Sequence, residues 1–273
     1  MKKTLKKVLT IAALTTLTLS LAACSTSPTT ADPITSQSKI DKDKWVVGLD
    51  DTFAPLGFRD QNGDLTGFDI ELARAMGEQL GKELILQPID WSMKEAELKS
   101  GNIDLIWNGY TITDDRKEKV EFSVPYLDNK QIVVVLKDSP IETKADLASK
   151  AVGAQSESSA VSAMEKETDL YASFKDGKAV TFEDNNQALM DLDTGRIDAV
   201  VADEVVVRYY INLKGADKYR ILDEDFGAEE YGVGFPKGDT QAVAAFNKAY
   251  EDLKAAGTVA EIATKWFGSN VAK

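Results

Sequence analysis

The segment NGYTITDDRKEKVEF (residues 108–122) places an arginine where a helix should disfavour one. Thr113 is a suitable N-cap, and Asp114 and Asp115 fill the first turn of the helix that the pattern predicts. Arg116 then occupies the third helical position, near the positive end of the helix dipole, so it needs an anion close by. Either the two aspartates offset this charge at a solvated surface, or Arg116 binds an anion from elsewhere.

A short motif occurs twice and suggests that two parts of the chain are built alike. LKSGNIDLI (98–106) and LDTGRIDAV (192–200) both fit L-x-x-G-x-I-D followed by two apolar residues. Each predicts a helix that ends at a glycine, Gly101 or Gly195, where a positive φ costs little, and then a short strand buried on both faces. The repeat therefore predicts the same helix-to-strand unit in each half of the chain.

Strands and helices are predicted to alternate around both copies of the motif. Around the first copy the patterns predict strand, helix, strand and helix at 45–49, 68–80, 83–88 and 92–99. Around the second copy they predict the same order at 151–154, 158–168, 180–183 and 185–192. Such alternation is typical of α/β folds with a mostly parallel sheet, so we predict two α/β lobes, each a sheet flanked by helices.

Ligands of such sheets bind beyond the carboxyl ends of the strands, and these ends can be located here. The strand of the first motif runs into Gly109 and Thr111 and leads to Arg116, whereas the strand of the second ends at Asp203. Asp203 could instead cap the apolar helix that follows it. If both charges face one cleft, they would complement the carboxylate and the ammonium of an amino acid.

The first 23 residues have the layout of a secretory signal. Four lysines precede an apolar run (8–23) that is shorter than the about 20 residues needed to span a bilayer, although a retained membrane anchor is the alternative. The sequence LAAC at its end resembles a bacterial lipobox, which implies cleavage before Cys24 and a lipid on its sulfur. Residues 24–39 are rich in Ser, Thr and Pro and predict a flexible tether. We therefore expect a lipid-anchored protein on the outer face of a bacterial cell membrane.

Composition excludes several kinds of site. The 273 residues include no histidine and one cysteine, so the sequence predicts no disulfide, no thiolate metal site and no cofactor. Loss of the signal with its four lysines would change the formal net charge from −13 to −17. Because so acidic a surface repels nucleic acid and anionic lipid, the lipid on Cys24 is the expected membrane contact.

Several motifs together resemble the solute-binding proteins of polar amino-acid ABC importers. They are GFDIELARAMG from Gly67, NGYTITDDR ending at Arg116, RIDAVVAD ending at Asp203, YGVGFPKG from Tyr231 and KWFG at 265–268. The resemblance extends over residues 45–268 and implies a two-lobed periplasmic-binding-protein-like type II fold. The implied layout is lobe 1 as 40–127 plus 231–273 and lobe 2 as 128–230, with crossovers near 126–130 and 227–231. Ligand binding would close the lobes by hinge motion.

The resemblance also implies roles for individual residues. Arg116 would bind the α-carboxylate of the ligand, helped by the backbone amides of Thr111 and Ser159. Asp203, the Gly109 carbonyl and the Thr111 hydroxyl would bind the α-ammonium. Two aromatic residues, which would otherwise be expected in the core, would enclose the aliphatic part of the ligand. The complete predicted substrate-binding set is Asp50, Phe53, Trp91, Gly109, Thr111, Arg116, Gln155, Ser159 and Asp203.

The second-lobe segment GAQSESSAV departs from the pattern of the family. Glu157 and Ser159 stand where glycine or threonine is common, which leaves the geometry of the backbone amides open. Ala202 precedes Asp203, so a larger polar side chain cannot contact the substrate from that position.

The side chain of the substrate is restricted by the acidic residues expected near the cleft. Asp50 matches a position that contacts the ligand side chain in glutamine binders, and Asp51 and Glu157 are expected nearby, with Gln155 rather than lysine in lobe 2. Because no additional cation is in view, an acidic substrate side chain would be repelled. We therefore expect a neutral polar amino acid such as glutamine or cystine, with a cationic one such as arginine as the alternative.

Two other functions are open on sequence alone. A sensory lipoprotein could bind amino acids without a transporter, and some relatives of this fold dehydrate small cyclic acids. The lack of histidine, of a catalytic cysteine and of a metal-ligand cluster argues against an enzyme. We therefore predict a monomeric binding protein that passes its amino acid to the permease and ATPase subunits of an ABC importer.

Overall fold

The computed structural model describes residues 38–273. The predicted signal, the predicted lipid site at Cys24 and most of the predicted tether lie outside the described residues. The last two residues of that tether belong to the folded chain, because the Ser38 hydroxyl and the Lys39 amide donate to the Asp239 carboxylate at 2.5 and 2.7 Å. None of the helices in residues 38–273 is long and apolar enough to cross a membrane.

A first run of strands and helices occupies residues 44–122. In chain order it comprises β1 (Lys44–Leu49), β2 (Thr52–Phe53), β3 (Gly57–Arg59), β4 (Leu65–Thr66), α1 (Phe68–Leu80), β5 (Glu83–Pro88), α2 (Lys94–Ser100), β6 (Leu105–Ile106), α3 (Asp114–Lys119) and β7 (Val120–Phe122). The predicted bounds of β1, α1 and β5 agree with these to within one residue. The helix predicted at 92–99 begins instead with a 3-10 turn, Trp91–Met93, before α2.

A second run occupies residues 127–231, after which the chain ends in a strand and two helices. The second run comprises β8 (Leu127–Leu136), β9 (Val152–Gln155), α4 (Ser159–Lys166), α5 (Thr168–Ala172), β10 (Val180–Phe182), α6 (Asn185–Asp193), β11 (Ala199–Asp203), α7 (Glu204–Lys214) and β12 (Tyr219–Tyr231). The final elements are β13 (Gly234–Pro236), α8 (Thr240–Ala255) and α9 (Thr258–Phe267). The helix predicted at 158–168 is divided into α4 and α5, because Glu167 leaves helical geometry (φ −89°, ψ 64°).

Two five-stranded sheets with the same strand arrangement form the two lobes. Their orders are β5-β1-β6-β13-β7 and β10-β9-β11-β8-β12. In each sheet the first three strands are parallel, and the fourth is antiparallel to both of its neighbours. The predicted pair of mostly parallel α/β lobes is confirmed. Each sheet contains one reversed strand because β8 and β13 are the first strands after the chain crosses from one sheet to the other.

The repeated sequence motif is also a structural repeat. α2 ends at Gly101 (φ 79°) and leads into β6, and α6 leads through Gly195 (φ 69°) into β11. Both strands are the central strands of their sheets, and all their side chains are buried. The carboxyl ends of β6 and β11 are therefore equivalent points of the two lobes.

β8 and β12 connect the two sheets. They pair antiparallel from Tyr231 opposite Leu127 to Tyr219 opposite Leu136, with an irregular register around Asp225. Leu127 and Tyr231 belong to the core of the first sheet, whereas the core of the second contains Val133 from β8 and Leu222 from β12. The lobe boundaries at 127/128 and 230/231 stay a prediction, and both fall within this strand pair.

The two C-terminal helices pack on the first lobe. Residues of α8 and α9 share one apolar core with β1, α1 and β13. In that core, Trp45 and Phe246 both contact the ring of Phe235 edge to face, at centroid distances of 6.2 and 5.4 Å. The first sheet is thereby covered by a helical layer drawn from both ends of the chain.

Candidate ligand-binding site

The Arg116 side chain is buried and does not pair with the neighbouring aspartates. Thr113 caps α3 by accepting a bond from the Arg116 amide at 3.2 Å, as predicted, and Asp114 pairs with Lys117 at the surface. Arg116 is 7% exposed, and its guanidinium lies 4.5 Å from the centroid of the Tyr110 ring and donates from Nη1 to the Thr111 carbonyl at 3.0 Å. The interpretation as a solvated surface charge is therefore wrong.

Glu95 is the nearest carboxylate to the Arg116 guanidinium. Its Oε1 atom lies 3.9 Å from Nε of Arg116 and accepts the Tyr110 hydroxyl at 2.9 Å. Burial alone would raise the pKa of Glu95, but the Lys94 and Arg116 charges outweigh it and hold the pKa below its ordinary value. Glu95 is therefore an anion that helps to orient the Arg116 guanidinium.

A second cation, Lys94, lies beside Arg116 and was not predicted from the sequence. Lys94 is 1% exposed, and its ammonium lies 3.4 Å from Oε2 of Glu95. It donates to the Trp91 carbonyl at 3.1 Å and to the Glu157 carbonyl at 3.0 Å. Burial, together with the Arg116 charge, lowers the pKa of Lys94 to about 8.

Lys94 and Arg116 converge on one oxygen atom of the second lobe. The Glu157 carbonyl accepts from Nζ of Lys94 and, at 3.3 Å, from Nη2 of Arg116. Glu157 has a positive φ of 53°, the left-handed conformation that glycine adopts without steric cost. Its side chain is exposed. The two cations therefore contact the backbone carbonyl of Glu157, as they could if this residue were glycine.

Asp203 lies at the end of β11 and is surrounded by neutral donors. Its Oδ1 atom accepts from Asn129 at 2.6 Å, from Gln131 at 2.9 Å and from the Tyr231 hydroxyl at 2.6 Å. The side chain makes no capping bond to α7, so the capping interpretation is wrong. Burial raises the pKa of Asp203, and the charge of Glu229 raises it further.

Glu229 on β12 is a second carboxylate beside Asp203, and sequence reasoning missed it. Oε2 of Glu229 accepts from the Thr111 hydroxyl at 3.1 Å and from the Ser159 hydroxyl at 3.2 Å. It also accepts from the amides of Asn129 at 3.3 Å and Gln131 at 2.8 Å. The polar run DNKQ (128–131) in the first half of a strand whose second half is apolar was the available indication that this part of β8 is functional.

Thr111 and Ser159 bring the two halves of the site into contact. Their hydroxyl oxygens lie 3.0 Å apart, although Thr111 follows β6 in the first lobe and Ser159 begins α4 in the second. Arg116 bonds to the Thr111 carbonyl, and Gln131 bonds to both Ser159 and Asp203. The predicted carboxylate-binding and ammonium-binding residues therefore belong to one continuous network.

Asp50 and Gln155 also meet across the cleft. The Gln155 amide donates to Oδ2 of Asp50 at 2.7 Å, while the amide and hydroxyl of Thr52 donate to Oδ1. Burial raises the pKa of Asp50 despite these bonds. By contrast, Asp51 pairs with Arg59 on its own lobe at 2.5 Å.

Phe53, Trp91 and Gly109 line the first-lobe side of the same region. Phe53 is 6% exposed and Trp91 is 8% exposed, and each belongs to a hydrophobic cluster of its lobe. Gly109 has a φ of 56°, and a Cβ there would lie 2.7 Å from the Phe53 ring, so glycine is required. Whether these aromatic rings contact a ligand stays a prediction.

The two sheet-containing lobes and the hydrogen-bond network of charged residues between them are features of a two-lobed binding protein. The family model of the bacterial extracellular solute-binding proteins, family 3, matches residues 45–269. The chain belongs to this family. Because the family consists of solute-binding proteins, the alternative of an enzyme is not favoured.

The relatives whose ligand is known include proteins that bind three different amino acids. The L-cystine-binding protein TcyJ of Escherichia coli K12 is 33% identical over 230 residues, which cover 84% of each chain. The arginine-binding extracellular protein ArtP of Bacillus subtilis is 30% identical over 268 residues, 96% of this chain and 98% of that protein. A substrate-binding protein of an ABC uptake transporter from Streptococcus pneumoniae, solved with bound histidine, has a TM-score of 0.82 and 41% identity, covering 85% of this chain and 95% of that one.

Proposed function

We propose that this protein captures a polar L-amino acid between its two lobes and delivers it to the permease and ATPase of an ABC importer. The cystine-, arginine- and histidine-binding relatives support the amino-acid class of ligand. One observation carries the proposal for this chain. Arg116 and Asp203, both buried and on opposite lobes, are linked by the contact between Thr111 and Ser159.

The two charges match the two ends of an amino acid. Arg116, oriented by Glu95, would hold the α-carboxylate, and a bound carboxylate oxygen would take the place near Lys94 and Arg116 that the Glu157 carbonyl now occupies. Asp203 would hold the α-ammonium. The remaining residues of the predicted set, Asp50, Phe53, Trp91 and Gln155, would surround the side chain.

Charge in the cleft favours a neutral polar or cationic substrate. The described network contains two cations, Lys94 and Arg116, against four carboxylates at Asp50, Glu95, Asp203 and Glu229. Lys94 is the additional cation that the sequence did not reveal, but its ammonium already contacts Glu95. An acidic substrate side chain would therefore meet net negative charge, so glutamine, cystine, histidine and arginine are the candidates.

Calorimetry with ligand-stripped protein tests the proposal. We expect one of these amino acids to bind, and Arg116→Ala and Asp203→Ala each to weaken binding at least tenfold, or about 1.4 kcal/mol, because a buried ligand charge would lose its partner. Arg196→Ala is the control, since that exposed arginine pairs with Asp191 in the second lobe. Wild-type affinity in both site variants, or stabilisation by aspartate and glutamate alone, would contradict the proposal.

We also infer that a lipid on Cys24 anchors the protein outside the cell and that it works as a monomer. Labelled palmitate is expected to be incorporated into the wild-type protein in a bacterial host and not into Cys24→Ser. Equal labelling of both would contradict the anchor. A deletion strain is expected to lose uptake of the bound amino acid, whereas unchanged uptake would favour the sensory alternative.

A further inference from the structure

Asp203 and Glu229 form a pair of carboxylates with no cationic partner among the described residues. Each is bonded only to neutral donors in the network, and Nε2 of Gln131 donates to both of them. Among residues 38–273, no lysine or arginine forms an ion pair with either carboxylate. Because two buried or half-buried carboxylates repel each other, the pair is stabilised either by a proton or by a positive group, and residues 38–273 place no cation beside it.

Each carboxylate uses one oxygen for the network. All three bonds of Asp203 go to Oδ1, and all four bonds of Glu229 go to Oε2. The other two oxygens, Oδ2 of Asp203 and Oε1 of Glu229, take no part in these bonds. An ammonium group has three N–H donors, which is enough to bond to both of these oxygens.

We propose that Glu229 is a ligand-binding residue that shares the ammonium of the ligand with Asp203. This inference rests on the proposed function and adds a residue from the connecting strands to the site. Glu229 pairs in register with Asn129 on β8, and its carboxylate contacts Thr111 of one lobe and Ser159 of the other. An ammonium bound there would therefore stabilise the closed arrangement at the point where the lobes are joined.

Removing the charge of Glu229 without changing its shape tests the role. The probes are L-glutamine, L-histidine, L-arginine and L-cystine, each with the analogue that lacks the ammonium group (glutaramate, 3-(imidazol-4-yl)propionate, 5-guanidinopentanoate and 3,3′-dithiodipropionate). For the amino acid that binds best, we expect Glu229→Gln to weaken binding at least tenfold. The analogue, which has no ammonium, should bind Glu229→Gln at least as well as it binds the wild type.

Glu230→Gln is the matched control. Glu230 is the next residue, is exposed, and pairs with Lys273 outside the site. The substitution removes the same charge from the same strand, so it should leave the affinity for both amino acid and analogue unchanged. A tenfold loss in this control would attribute the effect to overall charge and overturn the proposal.

Proton release on ligand binding provides a second readout, because it reports the charge interaction between Glu229 and Asp203. The groups that face Asp203 are Glu229 and Tyr231 from β12, the neutral amides of Asn129 and Gln131 from β8, and the hydroxyls that neighbour them on Thr111 and Ser159. Since the pKa of Asp203 is raised by burial and by Glu229, part of the empty protein holds a proton there. Calorimetry near pH 7 in phosphate and in ACES, which both buffer there but differ in ionisation enthalpy, should therefore detect proton release when the amino acid binds, and less release in Glu229→Gln.

The outcomes separate this inference from the proposed function. Equal losses for the amino acid and its analogue, or unchanged proton release in Glu229→Gln, would show that Glu229 only supports the fold and would overturn the inference. If Arg116→Ala and Asp203→Ala lose affinity while Glu229→Gln does not, the proposed function holds and the inference fails. If the wild type binds none of the four amino acids, both fail.

Discussion

At the scale of single residues, the site is a set of buried charges whose partners come from distant parts of the chain. Arg116 is held by Glu95 and Tyr110, and its cationic neighbour Lys94 reaches the same second-lobe carbonyl. Asp203 and Glu229 lie at the other end of the network with neutral donors only. The two cations thereby lie at one end of the network, and the carboxylates bonded only to neutral donors lie at the other, which suits a zwitterionic ligand.

Lys94→Met should weaken ligand binding about tenfold, because the carboxylate end would lose one of its two positive charges. Methionine matches the length and apolar stem of lysine, so the packing under Trp91 should survive. Lys99→Met is the control, since Lys99 lies on the same helix and is exposed. Calorimetry of both variants checks this expectation, and equal affinities for the two would contradict it.

Ligand-free protein should become less stable as the pH rises from about 4 to 7. Burial raises the pKa of Asp69 from 3.8 to about 7, so within this window the folded state binds more protons than the unfolded state. Each such group reduces the free energy of unfolding by up to about 1.4 kcal/mol per pH unit. Asp203 changes stability in the same direction.

Urea unfolding at pH 5 and pH 7.5 measures this loss of stability. Asp69→Asn should show a smaller difference between the two pH values than the wild type, because the amide does not titrate. The Asn oxygen can still accept from the Gly109 amide and the Tyr126 hydroxyl, which both donate to Oδ2 of Asp69 at 2.8 Å. An identical pH dependence in the variant would exclude Asp69 as the cause.

At the scale of elements, the repeated helix-to-strand unit positions the site. β6 and β11 occupy equivalent central positions, so the segments that follow them present Thr111 and Arg116 in one lobe and Asp203 in the other. The start of α4 adds Ser159 and the strained turn at Glu157. Arg116, Ser159 and Asp203 thus lie in the first turn of a helix or at the end of a strand.

Glu157→Gly should stabilise the protein by about 1 kcal/mol, because a left-handed conformation costs a residue with a Cβ roughly 1 to 2 kcal/mol and glycine very little. Part of this gain is offset by the greater freedom of glycine in the unfolded chain. Glu165→Gly, within α4, should destabilise by a similar amount and serves as the control. Chemical denaturation gives both values, and a loss of stability in Glu157→Gly would contradict the expectation.

At the scale of the whole molecule, the structure holds the two lobes together through bonds across the cleft. Besides the contacts of Glu157 and Ser159, Gln155 bonds to Asp50, and the Tyr210 hydroxyl bonds to the Thr52 carbonyl. β8 and β12 are the pair of strands that joins the lobes. Opening about this pair remains our proposal, and it requires these bonds to break together.

Tyr210→Phe should therefore speed ligand release about fivefold, since a net contribution of about 1 kcal/mol to the closed state would be lost. Tyr209→Phe is the matched control. The neighbouring Tyr209 ring packs against the ring of Phe58 in the first lobe, and phenylalanine would retain this contact. Stopped-flow measurement of dissociation rates distinguishes the two variants. The same rate for Tyr210→Phe and wild type would show that this bond does not restrain opening.

The sequence by itself determined the two α/β lobes, the positions of most strands and helices, and the prediction of Arg116 and Asp203 as the functional charges. These features follow from apolar periodicity, from glycine at helix ends and from caps, which depend on residues close together in the chain. The helix broken at Glu167 shows the limit of that local information.

Only the tertiary structure decided which side chains meet. Lys94 and Glu229 were not predicted as site residues. The fold brings Lys94 to the Glu157 carbonyl, and it brings Glu229 to Asn129 and Gln131, beside Asp203. The reversed strands β8 and β13 likewise depend on how the chain crosses between sheets. Burial and long-range contact change the environment of a charge without altering the sequence around it, so neither can be deduced from local pattern alone.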